Sequence, residues 1–186
     1  MKSNLKLRAL TEGAVMIAMA QALSYLKLFE LPNGGSISIG MLPIFLYCAR
    51  WGWKNGFIAS FAYGVLQLIF DGAYAWGPWS MLLDYILAYG ALGVAGFFSK
   101  MKGNVFIGTV FGSLARFVFS FISGVTIYRI YAPTEVLGMT FANPWLYSFV
   151  YNFSYIAISA AVILVIFAVI YKPLGKYIRG EDLAKG

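Results

Sequence analysis

Long apolar stretches dominate the chain, and its polar positions collect between them instead of alternating with them. The apolar runs cover residues 9–29, 38–49, 55–71, 79–98, 104–128 and 145–171. A straight helix crossing the hydrocarbon core of a bilayer needs roughly 20 apolar residues, and every run but the second approaches that length. The second is expected to be tilted, partly re-entrant or lengthened by residues 31–37. The pattern predicts an all-α integral membrane protein of six transmembrane helices. No internal repeat or low-complexity stretch divides it, so residues 1–186 are expected to form one domain.

Composition agrees: 61% of the residues are apolar, 18% aromatic and 11% charged, outside the range of soluble domains. A chain of 186 residues could not hide so much apolar surface in one water-soluble core. Basic residues then set the orientation, because Lys and Arg are retained in cytoplasmic loops. Lys2, Lys6, Arg8, Arg50, Lys54, Lys100, Lys102, Lys172, Lys176, Arg179 and Lys185 fall on one side, and only Lys27 and Arg129 on the other. With six crossings, both termini are expected in the cytoplasm. The net charge of +7 is then a matter of topology and headgroups, and a nucleic-acid site is disfavoured because the cations are spread over four segments. Lys2 to Arg8 ahead of an apolar run and Ala20-Gln21-Ala22 also fit a signal peptide, but five further runs favour a retained first helix. Thr11 and Glu12 are expected near its cytoplasmic end, within reach of headgroups.

Several chemistries are excluded by residue type. There is no His, and Cys48 is the only Cys, so disulfide frameworks, imidazole or thiolate metal sites and His-based triads are absent. No G-x-x-x-x-G-K-[ST] loop occurs, so ATP-driven work would need a partner. No metal and no cofactor are expected.

Function in a membrane protein is best sought where costly groups are kept. A charge at mid-bilayer costs about 2.5–3.5 kcal/mol on insertion scales. Asp84 in the fourth run and Arg116 in the fifth are two such charges, and one reading is that they pair and hold helices together. Around Asp84, toward the external side, gather Tyr63, Gln67, Asp71, Tyr74, Tyr85, Tyr128, Tyr147, Tyr151, Asn152 and Tyr155. Trp76, Trp79, Tyr131 and Trp145 suit an interfacial aromatic belt, whereas the amides Gln67 and Asn152 need partners. Tyr147, Tyr151 and Tyr155 recur every four residues, hence on one helix face. Aromatic faces with one carboxylate and one amide suit a flat, polar, cationic heterocycle, through stacking, cation–π attraction and hydrogen bonds. No catalytic constellation is present, and the chain is not expected to be an enzyme. On the first helix, Ala14, Ala18 and Ala22 form a strip of small residues, which either packs within the fold or docks a partner.

Arg8-Ala9-Leu10-Thr11-Glu12 leading into Ala14 and Ala18, GGSISIGMLPIFLYCARWGWKNG, YGVLQLI, LLDYILAYGALGVAG, the ARF ending in Phe117 with SG eight residues after Arg116, and PWLYSFVYN follow one another in a distinctive order. In this order and spacing the chain resembles the thiamine-specific substrate-binding subunits of energy-coupling-factor vitamin transporters, over nearly its whole length. The resemblance implies a bacterial plasma-membrane subunit of six helices that captures its vitamin from outside. It also implies a separate membrane coupling protein and two cytoplasmic ATPases as partners, with Ala14 and Ala18 as the docking surface. By motif, the binding carboxylate corresponds to Asp84 and the binding tyrosine and asparagine to Tyr147 and Asn152, while Tyr63, Tyr74 and Tyr128 stand where the family places pocket aromatics. Ser120 stands where many members have His, and a serine hydroxyl neither stacks nor titrates near neutrality.

The resemblance therefore implies thiamine, with a thiamine precursor or a related heterocycle as the alternative. In this reading Asp84 neutralises the thiazolium, Asn152 and Tyr147 read the aminopyrimidine edge, and residues 71–78 or 33–39 form a lid. A membrane enzyme acting on lipid-linked substrates lacks a metal or nucleophile set, and a self-sufficient transporter would be expected to show an internal repeat.

Overall fold

The computed structural model describes residues 2–31, 35–72, 75, 77–131, 135–136 and 138–183. Five helical elements carry the fold: α1 (Lys2–Ser24), α2 (Leu42–Asp71), α3 (Pro78–Phe98), α4 (Asn104–Tyr131) and α5 (Pro144–Ile178). Two short antiparallel pairs lie between them, β1 (Lys27–Glu30) with β2 (Ser36–Ser38), and β3 (Glu135–Val136) with β4 (Met139–Thr140).

Six separate helices were expected and five helical elements are found, because the second and third apolar runs belong to one element. At Gly52 the backbone of α2 leaves helical geometry at φ 75° and ψ −175°, a left-handed φ that glycine reaches without a Cβ clash. The chain folds back there. Cys48 Sγ and Ser60 Oγ lie 4.0 Å apart, whereas 12 residues along a continuous helix would separate them by about 18 Å. The first leg explains its short apolar run: every residue from Pro43 to Arg50 is buried, so protein instead of lipid surrounds it. Its Ile44 and Phe45 join Leu92, Ile163 and Phe167 in the core.

Three stretches are long and apolar enough to cross a membrane by themselves, Pro78–Phe98, Asn104–Ile127 and Pro144–Ile178. In the most apolar part of each only 28–44% of the residues are buried within the protein, which leaves side chains free to face lipid. Val165 and Val169 on α5 are examples, and Ile58 and Ile69 on α2 are likewise exposed. Helix α3 is irregular. Met81–Leu87 is π-helical and Ala91–Phe98 is 3-10, with a short α-helical turn, Ala88–Gly90, between them. Wide turns of this kind re-aim side chains and recur at functional sites. Helix α5 begins more conventionally: Asn143 accepts a hydrogen bond from Trp145 N at 2.9 Å, and Pro144 needs no donor in the first turn.

Candidate functional site

The π-helical turn of α3 carries Asp84, whose partners are hydroxyls. Ser80 Oγ donates to Asp84 Oδ2 at 2.8 Å, and Ser123 Oγ of α4 donates to the same oxygen at 2.5 Å. Ser120, one turn before Ser123, lies within hydrogen-bonding reach of both Asp84 and Tyr155. Among the described residues no Lys or Arg forms an ion pair with Asp84.

The reading in which Asp84 and Arg116 pair is therefore corrected. Arg116 packs its guanidinium over the Tyr89 ring at 4.1 Å, donates to Tyr89 Oη at 3.0 Å and reaches Met41 Sδ at 2.9 Å. Its Nε is buried without a hydrogen-bond partner. Aromatic faces, not the carboxylate, hold this cation. Tyr63, fully buried, meets Tyr89 edge to face with ring centroids 5.1 Å apart, so it belongs to the wall that holds Arg116.

On α5 the four-residue stripe becomes a ladder of rings. Tyr147 and Tyr151 stack at 5.9 Å with an interplanar angle of 4°, and Tyr155 meets Tyr151 at 5.7 Å and 67°. Asn152 is buried beside them. Its Nδ2 donates to Ser148 O at 2.9 Å, and its Oδ1 accepts from Tyr155 Oη at 2.9 Å. The β1–β2 hairpin closes over this ladder. Gly35 N donates to Tyr151 Oη at 2.7 Å, Ser38 N donates to Ser159 Oγ at 3.3 Å, and Leu31 and Ile37 pack with Tyr155 and Ile156. Gly35 lies so close that a Cβ on it would meet Tyr155 Cδ1 at 2.8 Å and Tyr151 Oη at 2.9 Å.

Asp84, Ser120, Tyr147, Tyr151 and Asn152 thus belong to one connected set, linked through Tyr155. Gln67 does not join it by hydrogen bonding: its amide donates to Gln21 Oε1 at 2.9 Å and Ser24 Oγ at 3.0 Å, tying α2 to α1. Tyr74 lies outside the described residues, as does Trp76, and so does the Tyr128 side chain. Trp79 and Trp145 point outward, as belt residues do. Ser80, Ser123 and Tyr89 were missed. Periodicity could have found the first two, since Ser80 is one turn from Asp84 and Arg116, Ser120 and Ser123 share a face of α4.

The opposite end of the bundle holds a second polar centre. The Arg50 side chain has no exposure, and it donates to Glu12 Oε2 at 2.7 Å, Asp182 Oδ1 at 2.5 Å, Asp182 Oδ2 at 2.7 Å and Tyr177 O at 2.8 Å. Its guanidinium lies 3.8 Å from the Tyr177 ring centroid. Trp51 Nε1 donates to Glu12 at 2.7 Å, and Arg8 joins both carboxylates. Hydrogen bonds from Arg50 hold the Asp182 carboxyl well below the usual carboxylate range. Two expectations change as a result: Arg50 is a structural ion and not a loop charge, and Glu12 serves Arg50 instead of headgroups. Ala14, Ala18 and Ala22 face outward on α1, so the small-residue strip does not pack within this chain.

A multi-pass membrane protein with a half-buried carboxylate inside its apolar helices and a tyrosine ladder under a hairpin is the class that this fold and site define. Residues 10–178 match the family model of the thiamine transporter protein (Thia_YuaJ) family, and the chain belongs to that family. It is 31% identical to the thiamine transporter ThiT of Bacillus subtilis (strain 168), over 97% of this chain and 99% of that one. It is 27% identical to ThiT of Lacticaseibacillus paracasei, over 91% of this chain and 90% of that one. A solved structure of ThiT from Listeria monocytogenes superposes with a TM-score of 0.81 at 25% identity, covering 93% of this chain and 98% of that chain. These relatives are named as transporters and not enzymes, and a family of bacterial membrane transporters belongs in the plasma membrane.

Proposed function

We infer that the protein is the thiamine-binding subunit of an energy-coupling-factor transporter, crossing the membrane six times with both termini in the cytoplasm. The observation that carries the reading is Asp84: a half-buried carboxylate with serine donors and, among the described residues, no ion-pair partner. A carboxylate kept within apolar helices without an ion-pair partner is costly, and a ligand bearing a fixed positive charge relieves that cost. Thiamine carries such a charge on its thiazolium ring. Asp84 neutralises that ring, Tyr147 and Tyr151 offer it and the aminopyrimidine their faces, and Asn152 exchanges its bonds to Tyr155 and Ser148 for the aminopyrimidine edge. Tyr63 backs the pocket; Tyr74, Tyr128 and Gln67 are assigned to it by family motif or by position in the sequence.

The lid is assigned to residues 33–39 through their described part, Gly35 to Ile39, which covers the ladder, and entry is from the external side. Transport then needs a membrane coupling protein and two cytoplasmic ATPases, because the chain has no nucleotide-hydrolysing loop. The outward strip at Ala14 and Ala18 is the docking face for the coupling protein. Two measurements test the reading. The isolated protein should bind thiamine tightly by intrinsic fluorescence titration, and uptake in cells should appear only when the coupling protein and ATPases are co-expressed. Uptake by the chain alone would overturn it. Ser120, within reach of Asp84 and Tyr155, stands where the family resemblance places His, so the pyrimidine half belongs in the same titration. Binding of that half as tightly as thiamine would move the assignment to a precursor.

A further inference from the structure

At the Arg50 end of the molecule, the reversal at Gly52, the turn after α3 and the end of α5 line an open cavity of about 730 Å³. That lies within the range of about 300–1,000 Å³ usual for small-ligand sites. Lys54, Lys100, Lys102 and Arg179 line it, together with Trp53 and Met101. Its charge is strongly one-sided. Glu181 is the acidic residue in the lining and is engaged by Arg179 Nε at 2.6 Å, while Arg50 in the wall is already neutralised by Glu12 and Asp182. The three lysines form no ion pair among the described residues. An excess of lysine over acid around a concave site is what an anion requires.

The flank of the cavity selects the kind of anion. Trp53, 47% exposed, stacks on Phe97, 57% exposed, with ring centroids 5.6 Å apart, and Met101 is 50% exposed beside them. Lys54 Nζ lies 5.4 Å from the Trp53 ring centroid. A free phosphate has no use for an apolar rim, whereas a phospholipid needs both: cations for its headgroup and aromatic ground for its upper acyl chains. We propose that this cavity is a binding site for the headgroup of an anionic phospholipid, with Lys54, Lys100 and Lys102 on the phosphate and Trp53 against the glycerol and acyl region. The proposal rests on the membrane setting of the helices and not on the thiamine pocket.

The test uses the full chain reconstituted into phosphatidylcholine vesicles containing increasing dibrominated phosphatidylglycerol, with dibrominated phosphatidylcholine as the neutral reference. The signal is the Trp fluorescence that disappears in Trp53→Phe. Half-quenching of that signal should need about threefold less brominated phosphatidylglycerol than brominated phosphatidylcholine. Lys54→Ala/Lys100→Ala/Lys102→Ala should erase the preference, and Lys6→Ala/Lys172→Ala/Lys176→Ala, which removes the same charge from exposed positions outside the cavity, should keep it. Equal quenching by both lipids overturns the proposal. So does equal loss in both triple variants, which would mean general surface potential, or loss of the preference in millimolar glycerol 3-phosphate, which would mean a soluble anion site. Thiamine titration of the same samples verifies folding, and its result is independent of the lipid preference.

Discussion

The molecule keeps two polar centres at opposite ends, and they are built to opposite rules. At Arg50 the buried charge is fully met: one guanidinium with no side-chain exposure faces two carboxylates, a carbonyl and a tyrosine ring. Around Asp84 the carboxylate has serine hydroxyls, and the nearby cation Arg116 is held by Tyr89 and Met41 instead. A complete network joins α1, α2 and the segment after α5 into one body, so its value is structural. An incomplete one leaves room for a charged guest.

The largest expected effect falls on the complete centre. Arg50→Met strands Glu12 and Asp182 without their main cation, and removing one partner of a buried ion pair costs about 3–5 kcal/mol. Thermal unfolding should show a much lower midpoint, while the folded fraction keeps thiamine affinity close to wild type. At the incomplete centre the pattern reverses. Asp84→Asn keeps an acceptor for Ser80 and Ser123 but removes the charge, so stability should hold while thiamine affinity drops about 100-fold, equivalent to about 2.7 kcal/mol. Equal stability losses in the two variants would erase the distinction between the centres.

Smaller effects sharpen it. Gly35→Val puts a side chain against Tyr151 and Tyr155, so the hairpin can no longer seat, and thiamine should dissociate about tenfold faster in stopped-flow fluorescence. Acid acts on the Arg50 end. The folded pKa of Asp182 is depressed, so its contribution to stability is present above its unfolded pKa of about 3.9 and is lost as pH falls toward the folded value. Unfolding midpoints should stay level from neutrality to about pH 5 and then fall, and Asp182→Asn should flatten that acid slope. Lys102→Ala, exposed and far from the tyrosine ladder in sequence, should leave thiamine affinity within about twofold of wild type.

The parts of this picture that were legible in the sequence are those fixed by local pattern. Apolar run length marked the helices, and the four-residue spacing of Tyr147, Tyr151 and Tyr155 placed them on one face before their stacking was known. Asp84 was conspicuous because a lone acid in an apolar run is costly. What was hidden depends on contacts between distant segments. The break between the second and third apolar runs allowed a reversal near Gly52, but nothing local says that the first leg is buried on all sides. Arg50 read as one more cytoplasmic charge because its partners lie 38 and 132 positions away. That the Gln67 amide donates to Gln21 and Ser24 of α1 was likewise hidden, since packing sets those partners.

The most direct test is a paired titration of wild type and Asp84→Asn with thiamine and with a neutral isostere whose thiazolium nitrogen is replaced by carbon. The account predicts that wild type prefers thiamine by about tenfold or more and that the variant binds the two alike. A preference of the same size in both proteins would show that the carboxylate does not receive the ligand's charge.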